Sequence, residues 1–393
     1  MTSPLVNIYA RLPVAFTHGQ GVWLWDAQGR KYLDALAGIG VSCLGHDHPR
    51  LVRAIAEQAA RVIHTSNLYE VPQQTELARR LAALSGMDEV AFANSGSEAN
   101  EAAIKLARYY GHQRGNDYPH IITMDSSWHG RTLATLAATG SEKARKGFEP
   151  LPGGFVQVRY NDLDAVRGAG DAEPRVVAVL LEVLQGEGGI RPSDQAYLQA
   201  LRALCDARGW LLMIDEVQSG IGRTGKWFAH QWAGIRPDVM TLAKGLAGGV
   251  PIGAMLAAGP AAGVLTPGSH GTTFGGGPLA CAAGLAVLDS LEQENLLQNA
   301  AEVGQYLQGA LSQALAGTPG VAEVRGRGLM LGIELDRPCG ILASRAVQAG
   351  LLVNVTRERV VRLLPPLILS RAEADEIVRL LVPLIRQFLA EQA

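Results

Sequence analysis

The chain has 393 residues, of which 48% are hydrophobic and 18% are charged. This length and polarity predict two or three domains around a large core and argue against a disordered protein. The formal net charge of −2 argues against a dedicated nucleic-acid binder, which would carry a basic excess.

The beginning of the chain predicts a small unit that does not fold alone. Gly21–Asp26 and Lys31–Asp34 predict a hairpin, and Pro49 can begin a helix. We expect residues 1–60 to pack against a small domain formed by the end of the chain.

Residues 61–277 predict a large α/β domain, because short apolar stretches alternate with helical patterns. This alternation favours βαβ units and a mainly parallel sheet, and strands that are apolar throughout favour a sheet covered on both faces. Ser193 is a candidate N-cap for a helix over Asp194–Arg208. The predicted strands are Val90–Ala93, Ile121–Asp125, Val176–Glu182, Trp210–Asp215, Asp238–Ala243 and Ile252–Ala257.

Residues 278–393 predict a smaller α+β domain, in which two helices precede several short strands and a last helix. The predicted helices are Leu279–Leu291, Glu292–Leu315 and Arg371–Ala390. The predicted strands are Leu329–Leu335, Leu352–Val355 and Val360–Leu364.

Several classes of protein are disfavoured by what the chain lacks. Its four cysteines form no CxxC pair, which argues against disulfides or a zinc cluster and fits a reducing cytoplasm. The amino terminus has no apolar core of the kind found in a signal peptide. Residues 245–288 carry no Asp, Glu, Lys or Arg, but their glycines and prolines predict buried, turning backbone rather than a membrane span.

Two motifs match well-known sites but fail in context. The stretch 220–226 reads GxGxxG and nearly matches a P-loop, yet Trp227 stands where a P-loop needs a hydroxyl and no amphipathic helix follows. His46 and His48 could suggest a metal site, but no cluster of partner ligands accompanies them. We therefore expect a glycine-rich structural loop and no bound metal.

The segment NSGSEAN, residues 94–100, follows a predicted strand and opens a predicted helix. Small residues at such a turn leave backbone N–H groups free to bind a phosphate. An ordinary turn capped by Ser95 or Ser97 is equally compatible with this sequence.

Lys244 and Asp215 each end an apolar strand. A buried ammonium is costly, so Lys244 is either a helix-end lysine that reaches solvent or a lysine tuned to form a Schiff base. Asp215 lies where open α/β sheets bind ligands. A phosphate cradle, a Schiff-base lysine and an aspartate beside a pyridine nitrogen are the parts that a pyridoxal phosphate site needs.

The order of NSGSEAN, WHGRT, LLEVLQGEGG, LLMIDEVQSGIGRTG, TLAKGL and HGTTFGG resembles the class III (ω-amino acid) aminotransferases, over nearly the whole chain. HTSNLYEVPQQTELARRL is similar to their acetylornithine branch. The resemblance implies pyridoxal phosphate fold type I, with a large domain built on a mainly parallel seven-stranded sheet and a smaller α+β domain. It also implies a homodimer with shared active sites.

The same resemblance assigns cofactor roles. Lys244 would hold pyridoxal phosphate as a Schiff base and move a proton, and Asp215 would pair with the ring nitrogen. The other implied contacts are Gly96 and Ser97 to the phosphate, Val217 and Trp128 on the two ring faces, Gln218 to the ring hydroxyl, and Thr273 to the phosphate of the neighbouring subunit.

Four residues are implied in substrate binding. Arg131, with Thr272 nearby, would hold the substrate α-carboxylate. Arg362 would bind a carboxylate of 2-oxoglutarate or glutamate, and Glu187 would cover that arginine when the ω-amino donor is bound. Taken singly, the arginines are also compatible with surface ion pairs and Trp128 with a core position.

The chain departs from the family pattern at three positions. Val183 stands where the family usually has proline, Gly277 where it often has asparagine, and Trp128 where the acetylornithine branch usually has phenylalanine. The first two concern local backbone geometry, and the larger indole could narrow the pocket.

We expect an enzyme that moves the ω-amino group of N2-acetylornithine to 2-oxoglutarate. The alternatives within the family are ornithine, 4-aminobutyrate, succinyldiaminopimelate or lysine as donor, and a mutase or decarboxylase is less expected. A degenerate pyridoxal phosphate-binding regulator is the non-enzyme alternative, against which the retention of Lys244 and Asp215 speaks. The expected partners are the donor and 2-oxoglutarate or glutamate, with no nucleic acid or membrane and a cytoplasmic location.

Overall fold

The computed structural model describes residues 4–391, so the ends of the predicted units at residues 1–3 and 392–393 lie outside it. In chain order its strands are β1 Phe16–Gln20, β2 Trp23–Asp26, β3 Lys31–Asp34, β4 Glu89–Ala93, β5 His120–Met124, β6 Phe155–Val158, β7 Val176–Glu182, β8 Leu184–Gln185, β9 Arg191–Pro192, β10 Leu211–Asp215, β11 Val239–Leu242, β12 Gly253–Ala257, β13 Val321–Arg327, β14 Met330–Leu335, β15 Leu351–Leu352, β16 Asn354–Thr356 and β17 Val360–Leu363.

Seven strands form one central sheet in the order β4-β12-β11-β10-β7-β5-β6. Its neighbours run parallel except at β12, which pairs antiparallel with both β11 and β4. The middle strands β7 and β10 are buried along their whole length, as expected where helices cover both faces. The predicted α/β fold with a mainly parallel seven-stranded sheet is confirmed; its edge strand β6 was not predicted.

Helices cover this sheet and form about half of the last third of the chain. They span Pro49–Arg61, Pro72–Ser85, Gly96–Gln113, Leu133–Ala138, Glu142–Arg145, Leu163–Ala172, Gln195–Arg208, Pro278–Gln293, Leu296–Leu315, Ile341–Gln348 and Arg371–Ala390. Short 3-10 turns lie at Ala229–Trp232, Lys244–Ala247 and Gly259–Ala261, and Ala37–Gly40 form one turn with positive φ throughout. Local sequence sets several ends: prolines open three of the helices, and Gly86 and Gly209 close two in the left-handed conformation.

Two four-stranded sheets and the two-stranded pair β8-β9 complete the fold, and one four-stranded sheet joins the two ends of the chain. Its order is β1-β2-β3-β15, in which β15 pairs parallel with β3. The other sheet, β13-β14-β17-β16, comes entirely from the last part of the chain. The predicted hairpin is confirmed as the antiparallel pair β2-β3. The domain limits after residues 60 and 277 stay a prediction.

Three local predictions are wrong. Asp194, not Ser193, occupies the N-cap position, and the helix begins at Gln195. The helix predicted from Glu292 begins only after Asn295, whose φ of 53° separates it from the preceding helix. The strand predicted over Leu352–Val355 is divided between β15 and β16, which belong to different sheets.

About half of the uncharged stretch 245–288 is buried, including all of β12, whereas much of residues 259–274 is exposed. The stretch contains turns, strand β12 and the start of helix Pro278–Gln293, which packs against helices Pro49–Arg61 and Pro72–Ser85. Within residues 4–391, no helix is both long and apolar enough to cross a membrane.

The close packing of helix Leu296–Leu315 can be tested at two of its glycines. A Cβ on Gly304 would collide with the Gly328 backbone, whereas a Cβ on the exposed Gly309 would meet nothing within 4 Å. We expect Gly304→Ala to lower the free energy of unfolding by about 1–3 kcal/mol through overpacking. Gly309→Ala should raise it by about 0.5–1 kcal/mol, because alanine favours a helix. Urea unfolding of the cofactor-free protein measures both; equal effects would contradict the close approach.

Candidate active site

The turn between β4 and the next helix forms one wall of a cavity of about 350 Å³. Ser95 is the N-cap, and its side chain accepts a hydrogen bond from the Glu98 N–H at 3.2 Å. Gly96 and Ser97 line the cavity. A Cβ on Gly96 would come within 2.7 Å of the Val217 side chain, so only glycine leaves this helix start open. One turn therefore fits both interpretations of the sequence. It is capped by Ser95, and it opens a helix whose first backbone N–H groups can bind a phosphate.

Lys244 and Asp215 line the same cavity, at the ends of the neighbouring parallel strands β11 and β10. Burial lowers the pKa of the Lys244 ammonium, and the Asp215 carboxylate opposes this to a smaller extent. Lys244 has a φ of 43°, which is uncommon for a residue with a side chain and typical of functional sites. The structure thus brings the two residues together, with the lysine in surroundings that favour its neutral amine.

Asp215 is fixed by hydrogen bonds to both carboxylate oxygens. Its Oδ2 accepts from Asn100 Nδ2 at 2.7 Å and from His129 Nδ1 at 2.9 Å, and its Oδ1 accepts from the Val217 N–H at 2.9 Å. Asn100 is itself held by the Thr241 hydroxyl at 2.7 Å. The roles of Asn100 and His129 beside Asp215 were missed by the sequence analysis, although both lie in quoted motifs. These three hydrogen bonds fix the orientation of the Asp215 carboxylate.

A second buried carboxylate, Glu182, was also missed. It lines the cavity and accepts the backbone N–H of Trp128 at 3.0 Å and that of Gly186 at 3.2 Å. Burial, with a further contribution from the negative charge of Asp215, raises the pKa of Glu182 to about 7. The signal in the sequence was a glutamate at the end of the otherwise apolar strand β7.

The remaining cofactor residues predicted inside the pocket also line it. Val217 and Gln218 follow β10, and Trp128 comes from the turn after β5. Gln218 Oε1 lies 3.4 Å from Arg362 Nη1 and accepts its hydrogen bond. A flat ring between Trp128 and Val217 would thus have polar side chains available on its edge.

Arg362 and Glu187 form an ion pair of 2.6 Å beside this cavity. Arg362 projects from β17 and is fully buried, and its Nε donates to Asn354 Oδ1 at 3.1 Å. Glu187 lies on the loop after β8 and keeps about one third of its side chain exposed. The Arg362 charge contributes to lowering the pKa of Lys244. If the Glu187 carboxylate turns away, the buried Arg362 guanidinium can bind the carboxylate of another molecule in its place.

Besides Arg362, which lies beside the cavity, three predicted residues do not line it within this single chain. Arg131 is exposed, with its guanidinium carbon 4.5 Å from the centre of the Trp128 ring. The Thr272 hydroxyl accepts from Asn94 Nδ2 at 3.2 Å, and Thr273 is exposed. Their roles stay predictions.

A larger cavity of about 1120 Å³ adjoins the first and shares Trp128 and Glu187 with it. Its walls combine the turn after β5, residues 140–143 and the tip of the β16–β17 hairpin. Charged residues of both signs line it, namely Asp125, Glu142, Lys143, Arg191, Arg325, Glu334, Arg357, Glu358 and Arg359.

The motifs set aside in the sequence have structural partners. His46 pairs with Asp34 at 2.9 Å, and His48 with Glu294 at 3.2 Å. Lys226 donates to a backbone carbonyl and lies over the Trp232 ring. Among residues 4–391, no group of three or more His, Cys, Asp or Glu side chains could hold a metal ion.

Comparison with known proteins agrees with this geometry. The family model for class-III aminotransferases matches residues 7–385, and the chain belongs to that family. The chain is 81% identical, over the full length of both proteins, to acetylornithine aminotransferase 1 of Bordetella pertussis strain Tohama I. It is 55% identical to acetylornithine aminotransferase of Nitrosomonas europaea, over 98% of each chain.

Solved structures of related enzymes share the whole fold. The ornithine aminotransferase of Toxoplasma gondii ME49 superposes with a TM-score of 0.94 at 32% identity, covering 99% of this chain and 94% of that one. The N-acetylornithine aminotransferase of Stenotrophomonas maltophilia K279a gives a TM-score of 0.85 at 36% identity, covering 98% of each. The predicted family, fold type and pyridoxal phosphate-dependent aminotransferase class are therefore confirmed.

The residues present fit pyridoxal phosphate. The open helix start at Gly96, the enclosed amine of Lys244 and the fixed carboxylate of Asp215 face one cavity. In addition, His129 Nε2 is buried and has no partner among the described protein atoms. These groups match the phosphate, aldehyde and ring nitrogen of that cofactor.

Proposed function

We propose that the chain transfers the ω-amino group of N2-acetylornithine to 2-oxoglutarate, giving N-acetylglutamate 5-semialdehyde and glutamate, within arginine biosynthesis. The full-length identity of 81% to an acetylornithine aminotransferase supports this donor. The use of one pocket for both the donor and 2-oxoglutarate is supported by one observation: Arg362 is buried near Lys244 and is paired with Glu187.

Bound in the cavity, pyridoxal phosphate supplies an electron-withdrawing ring that stabilises negative charge on the substrate carbon. Lys244 Nζ, whose pKa is lowered by burial, would take a proton from that carbon and deliver it to the cofactor rather than back to the substrate. Asp215, held by Asn100 and His129, keeps a negative charge at the ring nitrogen. Gly96 and Ser97 offer N–H groups to the phosphate.

Substrate choice is assigned to three charged residues. Arg131 binds the carboxylate common to both substrates, since a guanidinium fork matches that group. Arg362 binds the second carboxylate of 2-oxoglutarate, and Glu187 neutralises it when the donor is present. One cavity thereby accepts a donor with its amine far from its carboxylate and an acceptor with two carboxylates.

The proposed enzyme is a cytoplasmic homodimer in which the two chains share their sites. Thr273 is exposed and stands outside the cavity of its own chain. Its neighbour Phe274 is exposed, and so are Leu68 and Tyr69, which follow Asn67, whose Nδ2 donates to the Thr272 carbonyl at 3.0 Å. Such a patch favours contact with another protein surface, and a second copy would bring Thr273 to the neighbouring phosphate.

The donor is tested with a panel of amines and 2-oxoglutarate as acceptor. N2-acetylornithine should give the largest kcat/KM among acetylornithine, ornithine, 4-aminobutyrate, succinyldiaminopimelate and lysine. Ornithine is the main competitor, because ornithine aminotransferase structures superpose closely on the chain. A kcat/KM for ornithine that equals or exceeds that for acetylornithine would overturn the assignment.

Lys244→Ala is the control for the panel and should abolish turnover with every donor. Borohydride reduction of the unaltered holoenzyme followed by peptide mapping should place the cofactor on Lys244. Its appearance on Lys226 or another lysine would show that the enzyme uses a different residue.

The two half-reactions should respond differently to loss of each charge. Arg131→Ala should impair both, since each charge-assisted contact is worth about 1.5–3 kcal/mol. Arg362→Ala should mainly impair the step with 2-oxoglutarate. Glu187→Ala should leave Arg362 uncovered and favour α-amino donors such as glutamate. Single-turnover absorbance changes measure each half separately; equal losses in both halves for Arg362→Ala would rule out the switch.

Shared sites can be tested by exchanging subunits. Mixing Lys244→Ala with Thr273→Ala chains should form hybrid dimers with one site that carries both changes and one that carries neither. Activity should therefore rise above the mean of the two parent preparations, each exchanged only with itself as control. If differently tagged chains are shown to exchange and no activity returns, Thr273 does not serve the partner.

A further inference from the structure

The loop that carries Glu187, residues 186–190, is held by the central sheet and by the sheet β13-β14-β17-β16, hereafter the small sheet. On the large-sheet side, the Glu182 carboxylate accepts the Gly186 N–H. On the small-sheet side, the Thr356 hydroxyl donates to the Glu187 carbonyl oxygen at 2.6 Å. The Glu187 side chain remains partly exposed and pairs with Arg362. The loop backbone is thus anchored, whereas its carboxylate has room to turn.

Arg325, on β13, makes the largest set of contacts with this backbone. Its Nε donates to the Gly189 carbonyl at 3.1 Å and to the Ile190 carbonyl at 2.9 Å, and its Nη2 also donates to Gly189. The remaining Nη1 pairs with Glu323 at 2.7 Å and with Glu334. Arg325 is only 7% exposed. A lysine could not reproduce this fork, because it offers a single nitrogen.

Strand register places Arg325 and Arg362 in one row. Gly332 on β14 pairs with Arg325 on one side and with Arg362 on the other, and Asn354 on β16 extends the row. Residues directly opposite one another in neighbouring strands point to the same face of a sheet. The two arginines therefore flank Gly332 on the face that meets the loop.

Gly332 lets the loop lie flat between the two arginines. A Cβ there would come within 2.9 Å of the Ile190 Cβ and 3.0 Å of a Val360 methyl. At the loop itself, Gly189 has a φ of 100°, a conformation that side chains rarely permit, and its carbonyl meets Arg325. Ile190 is fully buried at this contact. The small sheet thus binds the loop backbone at one end and the Glu187 carboxylate at the other.

We propose that Arg325 is a positioning residue of the Glu187–Arg362 switch, and this rests on the function proposed above. By fixing the carbonyls of Gly189 and Ile190, it keeps the Glu187 backbone at a set distance from Arg362. Because both arginines belong to one sheet, that distance is kept even when the sheet shifts against the rest of the chain. Opening the switch then requires only rotation of the Glu187 side chain.

The test measures how tightly the holoenzyme binds glutarate, a dicarboxylate without a reacting carbonyl. Glu187→Ala should uncover Arg362 and lower the Kd about tenfold. Arg325→Lys should loosen the loop and lower the Kd in the same direction, by about threefold. The double variant should bind no more tightly than Glu187→Ala alone, because Arg325 acts through Glu187. Calorimetry reads this without turnover.

Arg327→Lys is the matched control, since Arg327 lies two residues further along β13 and stacks over Trp232 rather than touching the loop. It should leave the glutarate Kd unchanged. Gly332→Ala is a second route to the same effect, in case Arg325→Lys does not fold, because the added methyl displaces Ile190. It too should lower the Kd.

The outcomes separate the two proposals. If Arg325→Lys and Gly332→Ala leave the Kd unchanged, or if Arg325→Lys adds its full effect to that of Glu187→Ala, the inference about Arg325 is wrong and the switch survives. If Glu187→Ala itself leaves the Kd unchanged, the switch is wrong and Arg325 has no part in it.

Discussion

The cavity has to keep charges of both signs away from water in one small space. Lys244, Asp215, Glu182 and Arg362 all lie in or beside it. A buried ion is costly unless it is paired or neutralised, and both solutions occur among these groups. Asp215 accepts hydrogen bonds from Asn100 and His129, and Arg362 is paired with Glu187. Burial lowers the pKa of Lys244 and raises that of Glu182, which favours the uncharged form of each. Glu182 and Asp215 end strands of the central sheet, whereas Arg362 lies in β17 of the small sheet. These charged groups therefore come together where the two sheets meet.

Much of the site could be predicted from local sequence, because strand ends are visible in it. Lys244 and Asp215 stand out as charges after apolar runs, and parallel strands bring their carboxyl ends to one edge. The pairing of Glu187 with Arg362 came only from family resemblance, since 175 residues separate them. Asn100 and His129 were not assigned roles at Asp215, because a hydrogen bond between distant segments leaves no local pattern.

Errors in the fold arose where one residue changed the geometry. Asn295 looked compatible with a continuing helix but adopts the left-handed conformation and divides two helices. Leu352–Val355 is one apolar run by pattern, yet its halves join different sheets.

The unusual Val183 is accommodated, with its carbonyl accepting from the Tyr160 hydroxyl at 3.0 Å. Gly277 lies at a helix N-cap with a φ of −62°, which any residue can adopt. These departures leave the cavity intact.

The parallel pairing of β3 with β15 affects the order in which the chain can assemble. Leu33 lies opposite Leu351, so this contact closes a loop through most of the sequence. All seven strands of the central sheet lie between residues 89 and 257, and they can pair before that loop closes. On a ribosome, the amino-terminal hairpin must therefore wait for the last part of the chain. During synthesis, Asp215 and Lys244 are made before Arg362, so the walls of the proposed cofactor site can form before the proposed second carboxylate site exists.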